Sequence, residues 1–306
     1  MTESAQAHSE TTGFKPVLCG YIEEALSMIQ PGKLPGQIVV HDVRVLMKKS
    51  RAAIKLIGSS MDEQSFRREY NAFRETGRMM STWRESTVHR KLLRDFRKRH
   101  PALYVRISEE TPVKKILMKH EDRSLAASDI KNDLIRIRDM LHRSFYRIRF
   151  MSIRDIDSEL LRTGLQMSFQ LVADCYLQAR HNPKDSFIHE FRKKTKDLLY
   201  QLFFFRQSNP APVRNLEKRL DSLAQDLGKY NDYAVLLEAI GYKYRSGSES
   251  PAMDEFAVLM RKEQDRYLAR IWPAAYRIFK PGRVLTDIKG FGSQDGTETV
   301  RGNKQI

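Results

Sequence analysis

The fold is decided by Val40-His41-Asp42-Val43-Arg44-Val45-Leu46-Met47-Lys48-Lys49-Ser50-Arg51, which lies in an apolar-periodic run from about residue 37 to residue 57. A run of this length with apolar residues three and four apart predicts an α-helix of several turns. At about 100° per residue, five basic side chains share one arc of roughly 80°: His41, Arg44, Lys48, Arg51 and Lys55. Apolar side chains take the opposite side, so the sequence predicts a helix with one buried and one cationic face.

The cationic face has no compensating acid on its own helix. Between Val43 and Met61 there are five Lys or Arg residues and no carboxylate. Like charges three or four residues apart cost about 0.2–0.5 kcal/mol per pair on an exposed helix, and surface helices normally interleave Glu or Asp. We therefore expect this face to line a groove in which an anion from outside the chain balances it. The alternative is a solvated basic face.

The same pattern occurs a second time in the chain. His189, Arg192 and Lys196 repeat the spacing of His41, Arg44 and Lys48, and an apolar run over residues 198–205 follows. Two copies of one cationic helix suggest an internal duplication with a site built from two parts.

The two motifs together resemble the CHAD family, the conserved histidine α-helical domain. The family pattern His-x-x-Arg-Lys-x-x-Lys-x-x-x-Tyr is matched in the second half by His189, Arg192, Lys193, Lys196 and Tyr200. In the family, a segment after each of these helices ends in Arg-Asp or a similar pair. Arg84-Glu85 resembles the first such pair, and Asn231-Asp232, after Leu227-Gly228, resembles the second. The resemblance extends over roughly residues 18–280.

This resemblance implies two four-helix bundles that are related by an internal pseudo-twofold repeat and enclose a basic central channel. The repeats would occupy residues 18–151 and 155–280, between a disordered tail at 1–13 and a flexible C-terminal tail at 281–306. No segment shows sustained period-two alternation, which independently favours an all-α fold. The stretch 164–173 lacks the Tyr and basic residues that the family often has there.

The resemblance also implies that the channel binds inorganic polyphosphate. An Arg side chain offers phosphate a planar fork of N–H donors, and a Lys side chain offers it a compact positive charge. A protonated His side chain offers it two N–H donors. The polyphosphate-binding residues that we expect are His41, Arg44, Lys48, Lys49, Arg51, Lys55, Arg78, His189, Arg192, Lys193, Lys196 and Tyr200. We expect no catalytic residue, metal ligand or cofactor.

One of these residues, Arg78, and two additional candidates rest on weaker patterns. Arg78 shares a helical face with Arg67 and Arg74, and ion pairing with neighbouring glutamates is the alternative role for this face. Arg214 and Lys218 lie one turn apart and are secondary candidates for the site.

Local signals also predict several boundaries. We expect Asp62 to cap the helix after the first motif and Asp185 to cap the helix of the second motif. The helix after Asp62 is expected to extend to about Arg99 with an interruption near Gly77. Residues 207–212 contain two prolines and predict a loop, and Arg147 is expected to be solvated.

Composition narrows the classes of partner. The formal net charge is +16 and the isoelectric point is near 9.8, which indicates a polyanionic partner. The first residues lack a basic start followed by an apolar core, and no apolar run approaches the ~18 residues of a membrane span. We therefore expect a cytoplasmic protein without a membrane partner, with polyphosphate granules as one location that fits its function.

Two other functions compete with polyphosphate binding. Nucleic acid would also neutralise the charge, but aromatic residues do not alternate with the cations as a base-stacking platform requires, so we do not expect it as the partner. A polyphosphate-processing enzyme, a hydrolase or phosphotransferase, needs metal held by carboxylates near the phosphates. The cationic stripes contain no Asp or Glu on the anion side by their spacing, and neither a Walker-type loop nor His-x-x-x-His is present.

Overall fold

The structure is a computed structural model of the 306-residue chain, and it describes residues 13–30, 34–81, 85–118, 127–151, 156, 158–206, 210–241, 250–288 and 291. Within these ranges the chain forms eleven α-helices, three short 3-10 turns and no β-strand, which confirms the predicted all-α class. The helices are α1 (Phe14–Met28), α2 (Gln37–Leu56), α3 (Glu63–Met79), α4 (Glu85–Arg99), α5 (Pro101–Ser108), α6 (Thr111–Met118), α7 (Ala127–Phe150), α8 (Ser158–His181), α9 (Asp185–Gln201), α10 (Pro210–Ala239) and α11 (Pro251–Phe279).

The first apolar core is formed by α1, α2, α3 and α7. Leu18 and Ile22 of α1, Val43 of α2, Phe73 of α3 and Leu141 of α7 are fully buried in it. Val43, Leu46 and Ile54, which the apolar periodicity placed opposite the cationic arc, are buried in α2, and Ala52 and Leu56 beside the arc are buried as well. Burial of these apolar side chains explains why this charged stretch folds as a helix.

The second core is formed by α8, α9, α10 and α11. Phe169, Phe191, Leu220 and Ile271 are fully buried and come from these four helices in turn. Leu285, in a 3-10 turn after α11, is also buried in this core, so ordered packing extends into the segment that the sequence predicts as a tail from residue 281. The predicted tail at 1–13 lies outside the described residues except for Gly13.

A third core joins parts of the chain that are far apart in sequence. Leu93 and Phe96 of α4 and Ile107 of α5 pack against Leu236 of α10 and Phe256 of α11. The α4–α6 segment lies within the predicted first repeat, yet its apolar side chains are buried against helices of the second half.

The helix of the first motif also contacts the second half directly. A Cβ atom built on Gly164 of α8 would lie 2.2 Å from the carbonyl oxygen of Leu56, the last residue of α2. Only glycine allows two helix backbones to approach this closely. Gly164 opens the stretch that departs from the family pattern, and the structure gives this glycine a packing role.

Several local predictions can be compared with the structure. Asp62 does cap α3, because its carboxylate accepts a hydrogen bond from the backbone N–H of Ser65 at 2.8 Å. The interruption expected near Gly77 is confirmed, because α3 ends at Met79, two residues later, and α4 begins at Glu85. Asp185 is not a cap: Lys184 takes the cap position, and the Asp185 carboxylate accepts from the hydroxyl of Tyr230 at 2.7 Å.

Two further predictions were wrong. Residues 210–212 of the loop expected over 207–212 are helical, because α10 begins at Pro210 and proline is well tolerated in the first turn of a helix. Residues 207–209 lie outside the described residues. Arg147 is not simply solvated, since its guanidinium forms two hydrogen bonds with the fully buried carboxylate of Glu69, at 2.5 and 3.1 Å. Arg68 donates to the same carboxylate at 2.9 Å, so two cations neutralise this buried acid.

Both cysteines, Cys19 and Cys175, are buried and form no disulfide with each other. Burial raises the pKa of each thiol, with smaller opposing contributions from nearby charges. Among the described helices, none combines the length and apolarity that crossing a bilayer requires.

Candidate functional site

The cationic face of α2 becomes more covered along the helix. His41 is exposed, Arg44, Lys48 and Arg51 are half-buried, and the Lys55 side chain retains 30% of its exposure. Two of these cations lie over an aromatic ring of α3, with Arg51 6.0 Å and Lys55 5.4 Å from the centroid of Tyr70. The face therefore meets neighbouring helices at its C-terminal half, where the sequence predicts a groove.

The second motif is held in place by α10. His189 is exposed, and its Nδ1 lies 2.6 Å from the side-chain oxygen of Asn231. Since that oxygen only accepts, Nδ1 carries the proton and donates it, which leaves Nε2 to face the surroundings. The Arg192 guanidinium lies across Gly228 of α10, where a built Cβ would be 3.6 Å from its Nε. Thus α10 orients the first two residues of the motif with a glycine and an asparagine from the segment that the family resemblance singled out.

The helices of the two motifs touch each other at their C-terminal ends. The side-chain amide of Gln201 donates to the backbone carbonyl of Ala52 at 3.0 Å, and Lys55 Nζ lies 2.6 Å from Asp197 Oδ2. Because a later residue of α2 pairs with an earlier residue of α9, the helices run antiparallel where they meet. The structure thus brings the two motifs together, but it places His41 and His189 on opposite sides of the crossing.

Arg51 and Arg192 converge on Tyr200 near this crossing. The Nε atom of each arginine is buried and has no hydrogen-bond acceptor among the described residues. Burial raises the pKa of the Tyr200 hydroxyl, the charges of Asp221 and Asp197 raise it further, and those of Arg192 and Arg51 lower it. One arginine from each motif therefore lies near enough to act electrostatically on Tyr200.

Carboxylates lie closer to the cations than the sequence predicts. Lys55 is paired with Asp197, and Lys196 lies 3.5 Å from Asp221 of α10. Lys193 pairs with Glu190 of its own helix at 2.5 Å. The expectation that no Asp or Glu faces the anion side was therefore wrong, because these partners come from other helices or from within a turn of α9. Compensation is partial: the acids do not reach the orphaned Nε atoms of the two arginines.

Arg78 lies apart from these contacts. Its guanidinium is exposed and makes hydrogen bonds of 2.8 and 2.6 Å to Glu75, one turn earlier in α3. Arg67 is paired in the same way with Glu63. These ion pairs agree with the alternative role for the α3 face, which is pairing with neighbouring glutamates. The assignment of Arg78 to the site stays a prediction. Arg84 lies outside the described residues.

A cavity of about 430 Å³ opens next to the crossing, between α1, α2, α9 and α10. It is lined by Tyr21, Lys49, Leu199, Tyr200, Phe203, Arg206, Arg214, Glu217, Lys218 and Asp221. Lys49 and Tyr200 are among the predicted site residues, and Arg214 and Lys218 were secondary candidates. Tyr21 and Arg206 were missed because no motif contains them. Tyr21 reaches the cavity through the packing of α1 on the turn after α9, and Arg206 ends that turn.

No group of three or more His, Cys, Asp or Glu side chains in the described ranges is arranged to hold a metal ion. What the arrangement offers is a set of N–H donors and positive charges from α2, α9 and α10, suited to the oxygens of an anion.

Comparison with protein families adds one finding. The model of the CHAD domain family matches residues 36–241, a segment that includes both motifs, the crossing and Asn231. No curated protein matches the chain.

Proposed function

This chain belongs to the CHAD domain family, and from that premise we propose that it binds inorganic polyphosphate without catalysing a reaction on it. The observation that most supports this is the pair of arginines at the crossing. Arg51 and Arg192 come from different motifs, and both have a buried Nε that lacks an acceptor in the described structure. Phosphate oxygens accept charge-assisted hydrogen bonds and match the guanidinium fork.

The energetic argument concerns the unpaired donors. A buried donor without a partner costs about 1–3 kcal/mol, and more when it belongs to a charged group. A bound phosphate supplies acceptors to both arginines and lowers the repulsion between them. The folded protein therefore holds two donors without acceptors, and ligand binding removes the energetic cost of leaving them unpaired. Preorganised sites gain affinity in this way.

The distribution of charge favours a long ligand. Ala52 lies eleven residues after His41, and Gln201 lies twelve residues after His189, so each helix reaches the crossing at nearly the same register. At about 1.5 Å per residue, the cations extend up to roughly 16–18 Å from the crossing along each helix. A linear polymer of phosphates contacts both arms, whereas one small anion contacts only one part.

We further propose the arrangement that the resemblance implies. Two helical repeats related by a pseudo-twofold, each centred on a His helix, would border a basic channel that passes the crossing. The nearly equal register of the two helices at their contact and the separate four-helix cores support this arrangement. In this channel Arg51 and Arg192 are the central contacts, and the remaining contacts are made by His41, Arg44, Lys48, Lys49, His189, Lys193, Lys196 and Tyr200.

The test is a titration of long-chain polyphosphate by calorimetry. The double variant Arg51→Gln/Arg192→Gln removes two charges at the crossing, and we expect it to weaken binding by about a hundredfold, or tenfold per lost charge-assisted contact. Lys131→Gln/Lys262→Gln is the matched control, because both lysines are exposed on α7 and α11 and the charge loss is equal. Equal affinities for the two double variants would refute the assignment of the crossing.

Two further measurements separate polyphosphate binding from its competitors. Wild-type affinity should fall linearly with salt on logarithmic axes, and polyphosphate should bind more tightly than DNA of matched charge at physiological salt. Tighter binding of DNA would favour a nucleic-acid-binding protein. Phosphate release or shortening of the polymer with magnesium or manganese present would instead show an enzyme. A fluorescent fusion that fails to colocalise with polyphosphate granules would exclude the granule as its cytoplasmic location.

A further inference from the structure

The cavity beside the crossing has a different character from the cationic face of α2. We call it the α1 pocket, defined by the ten residues given above. Its volume of about 430 Å³ lies within the range of sites for small molecules. Tyr21, on one wall, belongs to α1, which lies entirely outside the segment 36–241 that matches the family. The pocket is therefore completed by an element that the matched domain does not include.

Helix α1 is fixed against the pocket by aromatic contacts. The ring of Phe14 stacks on Phe204 with centroids 5.1 Å apart, and Tyr21 contacts Phe203 at 6.1 Å. Phe203 and Phe204 lie in the 3-10 turn that follows α9. Because α1 contacts this turn at its first residue and again at its middle, Tyr21 forms a fixed wall at the end of α9.

The same rings hold cations at the pocket. Lys49 Nζ lies 5.5 Å from the centroid of Tyr21, and the Arg206 guanidinium lies 4.9 Å from that of Phe203. Cation–π contacts hold these heads in position without neutralising their charge. Arg206 also donates to Glu217 at 2.8 Å, so this arginine has a carboxylate partner.

The charges around the pocket are not balanced. Four basic residues and two acidic residues line the pocket. Of the two acids, Glu217 already contacts Arg206, and Asp221 lies 3.5 Å from Lys196. Lys49, Arg214 and Lys218 have no carboxylate within ion-pair distance in the part of the chain that the structure describes. Burial raises the pKa of Tyr21 to about 12, so its hydroxyl stays protonated and can donate a hydrogen bond at neutral pH.

We propose that the α1 pocket binds a compact anion of two or three linked phosphates, either the terminus of a polyphosphate chain or a free short oligophosphate. The two sources share one chemistry: several phosphate oxygens within a small volume and a high charge at the end of the chain. The inference that the pocket takes the terminus of a polyphosphate chain rests on the proposed function. The inference that it takes a free oligophosphate rests on the pocket alone. Tyr21 limits the pocket on the side of α1, so a chain that enters past Tyr200 ends there.

The experiment measures tripolyphosphate binding by calorimetry. Wild-type protein should bind one tripolyphosphate, and Arg214→Gln/Lys218→Gln should weaken it about tenfold or more. Both side chains are exposed, and retention of the far-UV circular dichroism spectrum and of the urea midpoint verifies the fold. Lys131→Gln/Lys262→Gln again serves as the control of equal charge and should stay within about twofold of wild type. Absence of tripolyphosphate binding, or equal weakening in both variants, overturns the proposal.

A second arm identifies the source of the anion and separates this proposal from the previous one. Long polyphosphate with both terminal phosphates capped by an amine is compared with uncapped polymer. If capping weakens binding to wild type but not to the pocket variant, the pocket takes chain ends. If capping has no effect while tripolyphosphate still requires Arg214 and Lys218, the ligand is a free oligophosphate. Loss of long-chain binding in Arg51→Gln/Arg192→Gln tests the crossing instead, and that result is independent of the pocket variant.

Discussion

Replacing Gly164 by alanine tests whether the contact between α8 and α2 fixes how the first motif meets the second half. The added Cβ would lie 2.2 Å from the Leu56 carbonyl oxygen, 0.8 Å inside the 3.0 Å limit that Cβ atoms respect. The obstacle is a backbone atom at the end of α2, so it cannot rotate away as the end of a side chain could. The two helices must separate by nearly an ångström.

The expected cost follows from two opposing contributions. Overpacking of this kind costs about 1–3 kcal/mol, and a backbone obstacle puts it near the upper limit. Alanine in place of glycine within a helix returns about 1 kcal/mol through its higher helix propensity. We therefore expect Gly164→Ala to lower the free energy of unfolding by about 2 kcal/mol.

Urea denaturation followed by far-UV circular dichroism measures this change. Gly20→Ala is the matched control, because Gly20 is also inside a helix but a Cβ there meets nothing within 4 Å. We expect the control to stabilise the protein by about 0.5–1 kcal/mol. Opposite signs for the two variants support the reasoning. If Gly164→Ala stabilises the protein as much as Gly20→Ala does, the close approach of α8 to α2 does not exist in solution.

The remaining predictions concern α3. Arg147→Met should destabilise the protein by about 3 kcal/mol, because Glu69 stays buried with Arg68 as its remaining cation. In urea denaturation, Glu69→Gln/Arg147→Met should recover part of the lost stability. A double variant no more stable than Arg147→Met would contradict this role of the ion pair. The N–H of Ser65 lowers the pKa of Asp62 below its ordinary 3.8, so the charged cap stabilises the fold above that pH and loses this effect as pH falls through the lowered pKa. The difference in urea midpoint between wild type and Asp62→Asn should therefore be constant near neutral pH and change below about pH 4; a difference independent of pH would refute the role of the charge.

Much of the fold could be predicted because its signals are local. The helix at α2 follows from apolar periodicity, and the cap at Asp62 follows from residue type and position. The errors have two causes. Proline is tolerated in the first turn of a helix, so Pro210 begins α10 although the local composition predicts a loop. Arg147 pairs with Glu69 of another helix, which a local pattern cannot indicate.

The candidate site could be predicted only in its motif residues. The duplicated spacing correctly indicated that α2 and α9 belong together, since the two helices touch through Ala52 and Gln201. It could not indicate which acids face the cations: Lys55 and Asp197 are 142 positions apart in the chain. Tyr21 was equally inaccessible to motif reasoning, because its place beside Lys49 results from aromatic packing between α1 and the turn after α9.

The packing of α4–α6 against α10 and α11 has a consequence for how the protein is made. On a ribosome, the apolar side chains of Phe96 and Ile107 emerge more than a hundred residues before Phe256, with which they share a core. At roughly 5–20 residues per second, they wait for about 7–30 s without their final neighbours. During that interval the nascent chain exposes the apolar side chains of α4–α6, and we expect chaperones to bind this segment until α11 has been synthesised.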